Sequence, residues 1–386
     1  MKRFFELDWL LIASALFLFG TGLLSLYSLS TTAGELTWSG NFFFRQAIFG
    51  AFGVVAMIFL VLFDYRHIGK FSTPMYFAAI VVLGLALLFG KTVRGTSGWI
   101  DLGPFQFQPV EGAKIALIIF LASFIAKKNS ELGEWVRIIA SLILSALAIF
   151  LVLEQPDLGS ALVLSGIWLG MILVSGIRLK HIAALALVGA ALAFTGWFFL
   201  EDYQRSRIET FLDPELDPQG SGYNVLQSMI AVGSGGVFGK GVGYGSQSQL
   251  SFLPERHTDF IVAVIAEELG LVGFGATLFA YGLLLYRIRR IAEHARDNTG
   301  YLIGVGAFAY FSIQIIVNVS MNMGAMPVTG IPAPFLSYGG SSLLASFIIL
   351  GLLLGVYRRR KNDDMERLSG SFPGDSGFSL NQGKYS

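Results

Sequence analysis

The 386-residue sequence has no cysteine, which removes disulfides, thiolate nucleophiles and Cys-based metal sites together. Histidine is nearly as scarce. His67, His181, His257 and His294 are scattered and give no metal-ligand pair at helical spacing. Charge is the third shortage: only 14% of residues are Asp, Glu, Lys or Arg, against about 25% in a typical soluble chain. That deficit excludes a soluble two-domain enzyme and a disordered protein. A net charge of +1 gives no bulk attraction toward nucleic acid. No internal repeat is visible, which weakens an inverted-repeat transporter. What fills the space is apolar: 54% hydrophobic residues, 34 Phe and 46 Gly. Small residues let helix backbones approach closely in lipid, so most of these glycines read as packing. The composition is that of a polytopic membrane protein.

A bilayer core takes about 20 mostly apolar residues per helix. Ten segments qualify: 9–29, 46–63, 74–90, 109–126, 137–153, 158–175, 181–200, 260–286, 301–325 and 341–357. The expected fold is therefore all-α, with ten transmembrane helices in one membrane domain over 1–360. The first segment is too long for a cleavable signal peptide and has no small-residue cleavage site behind it. The eighth would reach about 40 Å if straight, so it is expected to tilt strongly or to break. After residue 360 the chain turns polar and rich in Ser, Gly and Asp, and 361–386 is expected to be a disordered cytoplasmic tail.

Sidedness follows from the cations. With the N-terminus in the cytoplasm, 19 of the 27 Lys and Arg fall on the inner side and 8 outside. Both termini are then cytoplasmic, and the sizeable extracytoplasmic loop is 201–259, between the seventh and eighth segments. Within it a charged helical stretch comes first. Asn224 to Val232 then reads as a short amphipathic helix, ahead of a glycine-rich run from Gly233 to Gly245.

Charges placed in hydrocarbon are costly, so each is a functional candidate. Glu111 and Lys114 open the fourth segment, Asp157 precedes the sixth, and Asp259 meets the eighth at the outer surface. Glu267 and Glu268 lie roughly 12–14 Å deeper. These polar positions gather on the outer side, which argues for a cavity opening outward. Each has a plainer alternative. Glu111 and Lys114, three apart, can pair on one helix face, and Asp157 after Gln155-Pro156 can cap a helix. Of the adjacent Glu267 and Glu268, only one is expected to face a given cavity. The run Gly233-Ser-Gly-Gly-Val-Phe-Gly-Lys-Gly-Val-Gly-Tyr-Gly245 fails as a Walker A loop, because Gly241 follows Lys240 and Ser234 stands where the first glycine belongs. Its backbone N–H groups with Lys240 either cradle a phosphate or form a tight loop packed on helix ends.

The block Phe252-Leu-Pro-Glu-Arg-His-Thr-Asp-Phe-Ile261, running into Ala266-Glu-Glu-Leu-Gly270, closely resembles the signature of the SEDS family (shape, elongation, division and sporulation). Four more blocks agree in order: Gln108-Pro-Val-Glu-Gly-Ala-Lys114, Gln155-Pro-Asp-Leu-Gly159, Gly233-Ser-Gly-Gly236 with Gly239-Lys-Gly241, and Pro334-Phe-Leu-Ser-Tyr-Gly-Gly-Ser-Ser342. The resemblance covers nearly the whole chain short of the tail. Asp8-Trp9-Leu10, the short termini and Glu255-Arg256-His257 lean toward the RodA branch rather than FtsW.

The resemblance implies a peptidoglycan glycosyltransferase that polymerises lipid II at the outer face of the bacterial cytoplasmic membrane during elongation. Asp259 is then the expected general base for the acceptor hydroxyl. A solvated aspartate is a weak base at pH 7, so Glu255 or burial would have to raise its pKa. Lys114, Lys240, Arg256 and Arg94 are the implied partners of the pyrophosphate, with or without a divalent cation, Mg2+ or Mn2+. Glu111 would orient Lys114, and Glu267 or Glu268 would line the cavity floor. Glu255, His257 and Thr258 flank the base, and Ser337 and Ser341 offer hydroxyls, or the 337–342 stretch simply packs. No nucleotide, organic cofactor or nucleic acid is implied. The implied partners are lipid II, a class B penicillin-binding protein and other membrane proteins of the elongation complex. The chain departs from the family pattern at Val110 (usually Ser), Gly98 (commonly Arg) and Ala333 (Leu). A lipid II flippase and a non-catalytic cell-wall scaffold are the competing readings.

Overall fold

The computed structural model describes residues 7–32, 41–93, 95–101, 103, 106–127, 134–196, 198, 202–213, 221–250 and 252–370. Fourteen helices and one small sheet account for them. In chain order these are α1 (Trp9–Thr32), α2 (Phe42–Leu62), α3 (Tyr65–Lys70), α4 (Ser72–Phe89), β1 (Lys91–Val93), β2 (Thr96–Asp101), β3 (Gln106–Phe107), α5 (Pro109–Ala126), α6 (Glu134–Leu153) and α7 (Leu158–Leu173). They continue with α8 (Leu179–Gly196), α9 (Asp202–Leu212), α10 (Ser221–Ser234), α11 (Ser246–Gln249), α12 (Ile261–Glu293), α13 (Asn298–Asn322) and α14 (Gly340–Gly370).

Each of the ten apolar segments contains a helix, and among the described residues eight helices are long and apolar enough to cross a membrane. The apolar α7 has only 16 residues, about 24 Å of rise where a bilayer core is about 30 Å. The helix in the final segment continues through Gly370, ten residues into the stretch expected as a tail. Residues 371–386 of that tail lie outside the described residues, as does Arg94.

Short polar residues start these helices. Asp8, Asn41, Asp64, Asp157 and Asp297 each accept a first-turn backbone N–H with a side-chain oxygen. Asp8 also takes a forked pair of hydrogen bonds from Arg287, the shortest at 2.6 Å. That pair fastens the start of α1 to the far end of α12.

Inside the bundle, α5 is the most enclosed helix and packs against α4, α7, α13 and α14. Around it α12 packs on α13 and α1, and α14 lies along α2. The outer faces of α2, α4, α6 and α12 carry exposed Phe52, Phe59, Leu88, Ile143, Phe150 and Phe279, the pattern of surfaces that meet lipid.

The all-α expectation needs one correction. The three short strands form an antiparallel sheet in the order β1-β2-β3. Lys91 faces Trp99, and Asp101 faces Gln106. The stretch carries Thr, Val, Trp and Ile, which suit strands, but it is too short for periodicity to announce it. Lys91 Nζ meets Asp101 Oδ2 at 2.5 Å, and that contact, followed by the Gly103 N–H, holds the Asp101 carboxyl below its ordinary value of 3.8.

The eighth segment breaks, one of the two outcomes its length allowed. Gly270 has φ 66° and ψ −165° inside α12, a conformation open to glycine and costly to other residues. A break frees carbonyls before it and N–H groups after it, which cannot be left bare inside the fold. The glycine-rich run satisfies both. Lys240 and Gly241 donate their N–H groups to the Glu267 and Glu268 carbonyls, both at 3.0 Å, while Leu271 and Val272 donate to Gly236 and Val237. A Cβ at Gly235 would fall 2.0 Å from the Ala266 carbonyl oxygen, and one at Gly239 2.1 Å from that of Glu268. Of the two readings of this run, the tight loop packed on helix ends is the one observed.

Candidate active site

Four helices begin around one cavity of about 900 Å³ that opens to solvent. Gln108 and Asp157 precede α5 and α7, Gly339 precedes α14, and Asp259 lies two residues ahead of α12; all four line the cavity. Each helix start carries the positive end of its dipole, which favours anions at the cavity before any side chain is counted. Asp157 uses part of that potential. Its Oδ1 accepts the Ser160 N–H at 2.8 Å and its Oδ2 accepts from Gln108 Nε2 at 3.4 Å, so it is both cap and wall.

Asp259 is half-buried on the cavity wall. Its backbone is held from several sides. Its N–H donates to the Glu255 carbonyl at 3.1 Å. Its own carbonyl accepts from Asn318 Nδ2 at 3.1 Å and Asn322 Nδ2 at 3.0 Å. Those asparagines sit four apart on α13, fully buried, and Asn322 Oδ1 also accepts the Ala263 N–H at 3.0 Å. Gly330, with φ 74°, lines the opposite side; a Cβ there would lie 3.9 Å from Asp259 Oδ2.

Glu111 and Lys114 face the cavity from the first turns of α5. Lys114 Nζ donates to Glu111 Oε1 at 2.8 Å, with side chains only 2% and 3% exposed, and the Tyr310 hydroxyl reaches Glu111 Oε2 at 3.4 Å. The ion pair and the cavity position are thus both present. A buried pair of this kind contributes little net stability, which leaves its ammonium available as a reason for its presence.

The residues flanking Asp259 hold the turn that carries it. Glu255 has φ 52°, a left-handed conformation that costs a non-glycine residue energy. Thr258 Oγ1 donates to the Glu255 carbonyl at 3.2 Å and lies 3.3 Å from its Oε2. The His257 ring stacks on Phe42 with centroids 4.2 Å apart, and its carbonyl accepts the Tyr338 N–H at 2.8 Å. Arg256 donates to the carbonyls of Ser248 and Gln249. Ser337, 3% exposed, donates to the Thr258 carbonyl at 2.6 Å and accepts the Ala333 N–H at 2.8 Å. Ser341 Oγ accepts the Gln108 N–H at 3.0 Å. Thr258 lines the cavity; Glu255, Arg256, His257, Ser337 and Ser341 stand behind its wall.

Lys240, Glu267 and Glu268 go elsewhere. Lys240 Nζ pairs with Glu267 Oε1 at 2.8 Å, and Glu267 also accepts from the N–H groups of Gln247 and Ser248, both at 2.9 Å. Glu268 Oε1 accepts from Ser28 of α1 at 2.7 Å and from Gln249 at 2.6 Å. None of the three lines the cavity. The two glutamates turn to different side-chain partners, and neither is among the residues lining this cavity, where one was expected at the floor. The loop after Gly239 wraps around the broken helix and reaches both neighbours at once.

Tyr338 and Ser342 of the 337–342 stretch line the cavity, and so do residues not proposed for the site from the sequence: Trp99 from β2, Arg207 from α9, Ser160 and Thr329. Arg207 had only its charge and an outer loop to recommend it. Asn318 and Asn322 had a usable signal, paired amides four apart in an apolar helix, where uncharged polar groups still need partners. The cavity's charged residues are Glu111, Asp157 and Asp259 with Lys114 and Arg207. Among the described residues no three His, Asp or Glu converge as metal ligands.

Residues 8–362 match the family FTSW_RODA_SPOVE, described as cell cycle protein. The chain is 38% identical over 356 residues to the stage V sporulation protein E of Bacillus subtilis, covering 91% of this chain and 97% of that protein. It is 39% identical over 319 residues to the peptidoglycan glycosyltransferase MrdB of Escherichia coli K12, covering 81% and 84%. To a probable peptidoglycan glycosyltransferase FtsW of Trichlorobacter lovleyi it is 36% identical over 364 residues, covering 92% and 94%. Among solved structures, it superimposes with a TM-score of 0.77 at 33% identity on a chain of a peptidoglycan synthase complex described as coordinating polymerization and crosslinking, covering 92% of this chain and 98% of that one. The crystal structure of the rod shape determining protein RodA of Thermus thermophilus gives 0.68 at 30% identity, covering 92% and 97%.

Proposed function

The chain belongs to the FtsW/RodA/SpoVE family and is a peptidoglycan glycosyltransferase of the bacterial inner membrane, and from that premise we propose that it polymerises lipid II, with Asp259 as general base. The observation that carries the proposal is the joining of Asp259, Lys114 and Arg207 with four helix starts around one cavity. We place that cavity at the outer membrane surface, with both termini cytoplasmic, on the distribution of Lys and Arg.

The chemistry follows from the parts. The acceptor's GlcNAc 4-hydroxyl gives its proton to the Asp259 carboxylate as its oxygen bonds to the donor's anomeric carbon. The bond from that carbon to the lipid pyrophosphate breaks, and its electron pair leaves on the pyrophosphate oxygen. Negative charge develops there, where Lys114, Arg207 and the helix N-termini are already aimed and need no reorganisation. Glu111 fixes Lys114. Asn318, Asn322 and Ser337 hold the backbone of the turn so that the base does not drift, since small misplacements are costly. Mg2+ or Mn2+ commonly binds through one or two carboxylates and substrate phosphates, and Asp259 with Asp157 fits that donor set. Such an ion would neutralise charge on the leaving group.

Role and partners are part of the proposal. The relatives named stage V sporulation protein E, FtsW and MrdB are all 36–39% identical, so the elongation role rests on Asp8-Trp9-Leu10 and Glu255-Arg256-His257. The partners would be lipid II, a class B penicillin-binding transpeptidase and further elongation-complex membrane proteins. The test is the purified chain with its cognate class B protein in proteoliposomes supplied with labelled lipid II. Glycan strands are expected. Transbilayer movement of lipid II without polymer would overturn the proposal in favour of a flippase, and neither activity would favour a scaffold.

A further inference from the structure

At the opposite end of α5 lies a second polar cavity, of about 710 Å³. Arg66, Gly69 and Lys70 of α3, Ser123 and Lys127 at the end of α5, and Thr299 in the first turn of α13 line it. Lys127 is 13 residues beyond Lys114, about 20 Å along the helix axis. The two cavities are therefore separate sites on opposite sides of the fold. We propose that this second cavity binds the phosphate of an anionic phospholipid headgroup at the membrane surface opposite Asp259.

Charge comes first. Three cations face this cavity, and the nearby acid is already matched: Asp297 Oδ2 accepts from Arg66 Nε at 3.0 Å and from the Tyr65 hydroxyl at 3.1 Å. Asp64, the other carboxylate beside α3, pairs with Arg359 at 3.2 Å. Among the described residues Lys70 and Lys127 remain in excess. The start of α13 adds its positive end.

Unspent hydrogen-bonding capacity is the second observation. Nη2 of Arg66 and Oγ of Ser123 are both buried and bond to no protein atom. Ser123 is 7% exposed. Ser30, Ser165 and Ser346 return their hydroxyls to a carbonyl one turn back, whereas, among the described residues, Ser145 and Ser312 elsewhere in the bundle are left without a partner. Ser123 is left without one too, and it lines the cavity. Gly69 keeps that hydroxyl open, since a Cβ there would stand 3.1 Å from Ser123 Oγ. A lysine at the end of α5 would be explained by the helix dipole alone, but the two idle donors would not. A phosphate seated among these residues would offer oxygens to such donors, and a guanidinium with ammonium groups is a recurrent setting for it.

The lipid source is favoured by what adjoins the cavity. Phe71 follows Lys70 directly and is 69% exposed, and Leu62 and Phe63 are exposed at the end of α2. An acyl chain descending from a headgroup seated here meets apolar surface at once. Basic pockets between helices on the cytoplasmic side are a known setting for anionic headgroups.

Native mass spectrometry of the full chain in detergent, titrated with phosphatidylglycerol, phosphatidylcholine or inorganic phosphate, tests the assignment. Wild type should retain phosphatidylglycerol over phosphatidylcholine, and K70E/K127E should weaken that retention by about tenfold or more. R178E/K180E, an equal charge change elsewhere, should leave it unaltered. Ser123→Val, which keeps the fold's shape, should also reduce retention. Equal losses in both charge-reversal variants, or full retention in Ser123→Val, would overturn the site. Retention of inorganic phosphate with no preference for phosphatidylglycerol would overturn the lipid assignment in favour of a soluble phosphate compound. A chain that binds phosphatidylglycerol here yet polymerises nothing would leave this site standing and sink the proposed function instead.

Discussion

Lys114 is a buried ammonium whose charge is matched by Glu111 at 2.8 Å, and its cost depends on that match. Removing one partner strands the other, so Glu111→Ala should destabilise the chain by about 3–5 kcal/mol. The double change E111L/K114M should recover most of that loss, because an apolar pair of similar volume spares both desolvation penalties. Polymerisation should stay absent in both. Unfolding curves alongside lipid II turnover check this, and activity returning with stability would reduce the pair to a structural role. The same physics decided which residues could be read in advance. Charges in apolar segments are expensive, so Glu111, Lys114, Glu267 and Glu268 stood out, whereas Asp259 at the membrane surface and Lys240 in the glycine-rich run were marked by the family blocks. Burial cost alone cannot say what a charge is for. Lys240, Glu267 and Glu268 turned out to tie a loop to α1 and α12, and neutral Asn318, Asn322 and Trp99 raised no such flag.

At the level of elements, the break in α12 was one of two outcomes legible from length, since the apolar segment 260–286 outruns a bilayer and has to tilt or break. Its partner was not. Nothing in local periodicity says that the glycine run from Gly233 would feed its N–H groups to the broken helix, because that pairing is set in three dimensions. Gly270 carries both halves of the arrangement: its φ is 66°, and a Cβ would fall 2.2 Å from the Gly239 nitrogen. Gly270→Ala should therefore cost at least about 1–3 kcal/mol from backbone strain alone, seen as a lowered Tm in detergent. An unchanged Tm would mean that the break is not strained by a side chain. The β1–β3 sheet escaped notice for a different reason: its strands are two to six residues long, too short for alternation to be read. It matters nonetheless, since Val93, Thr96 and Trp99 roof the cavity.

For the whole molecule the sorting of charge does most of the explaining. The charged residues, 14% of the chain, supply helix caps, one cavity where carboxylates meet Lys114 and Arg207, and a second, basic cavity at the other end of α5. Sidedness can be tested directly because the chain has no cysteine to remove. Lys180→Cys, at the start of α8, should be shielded from a membrane-impermeant thiol reagent in intact cells, and Ser206→Cys in α9 should be labelled. Equal labelling of both would deny that α8 crosses the membrane. The sugar chemistry itself is tested most directly by replacing the base without changing its shape. Purified Asp259→Asn, matched to wild type in folding and in lipid II binding, should polymerise labelled lipid II at least about 100-fold more slowly. Wild-type rates from that variant would contradict the account at its centre.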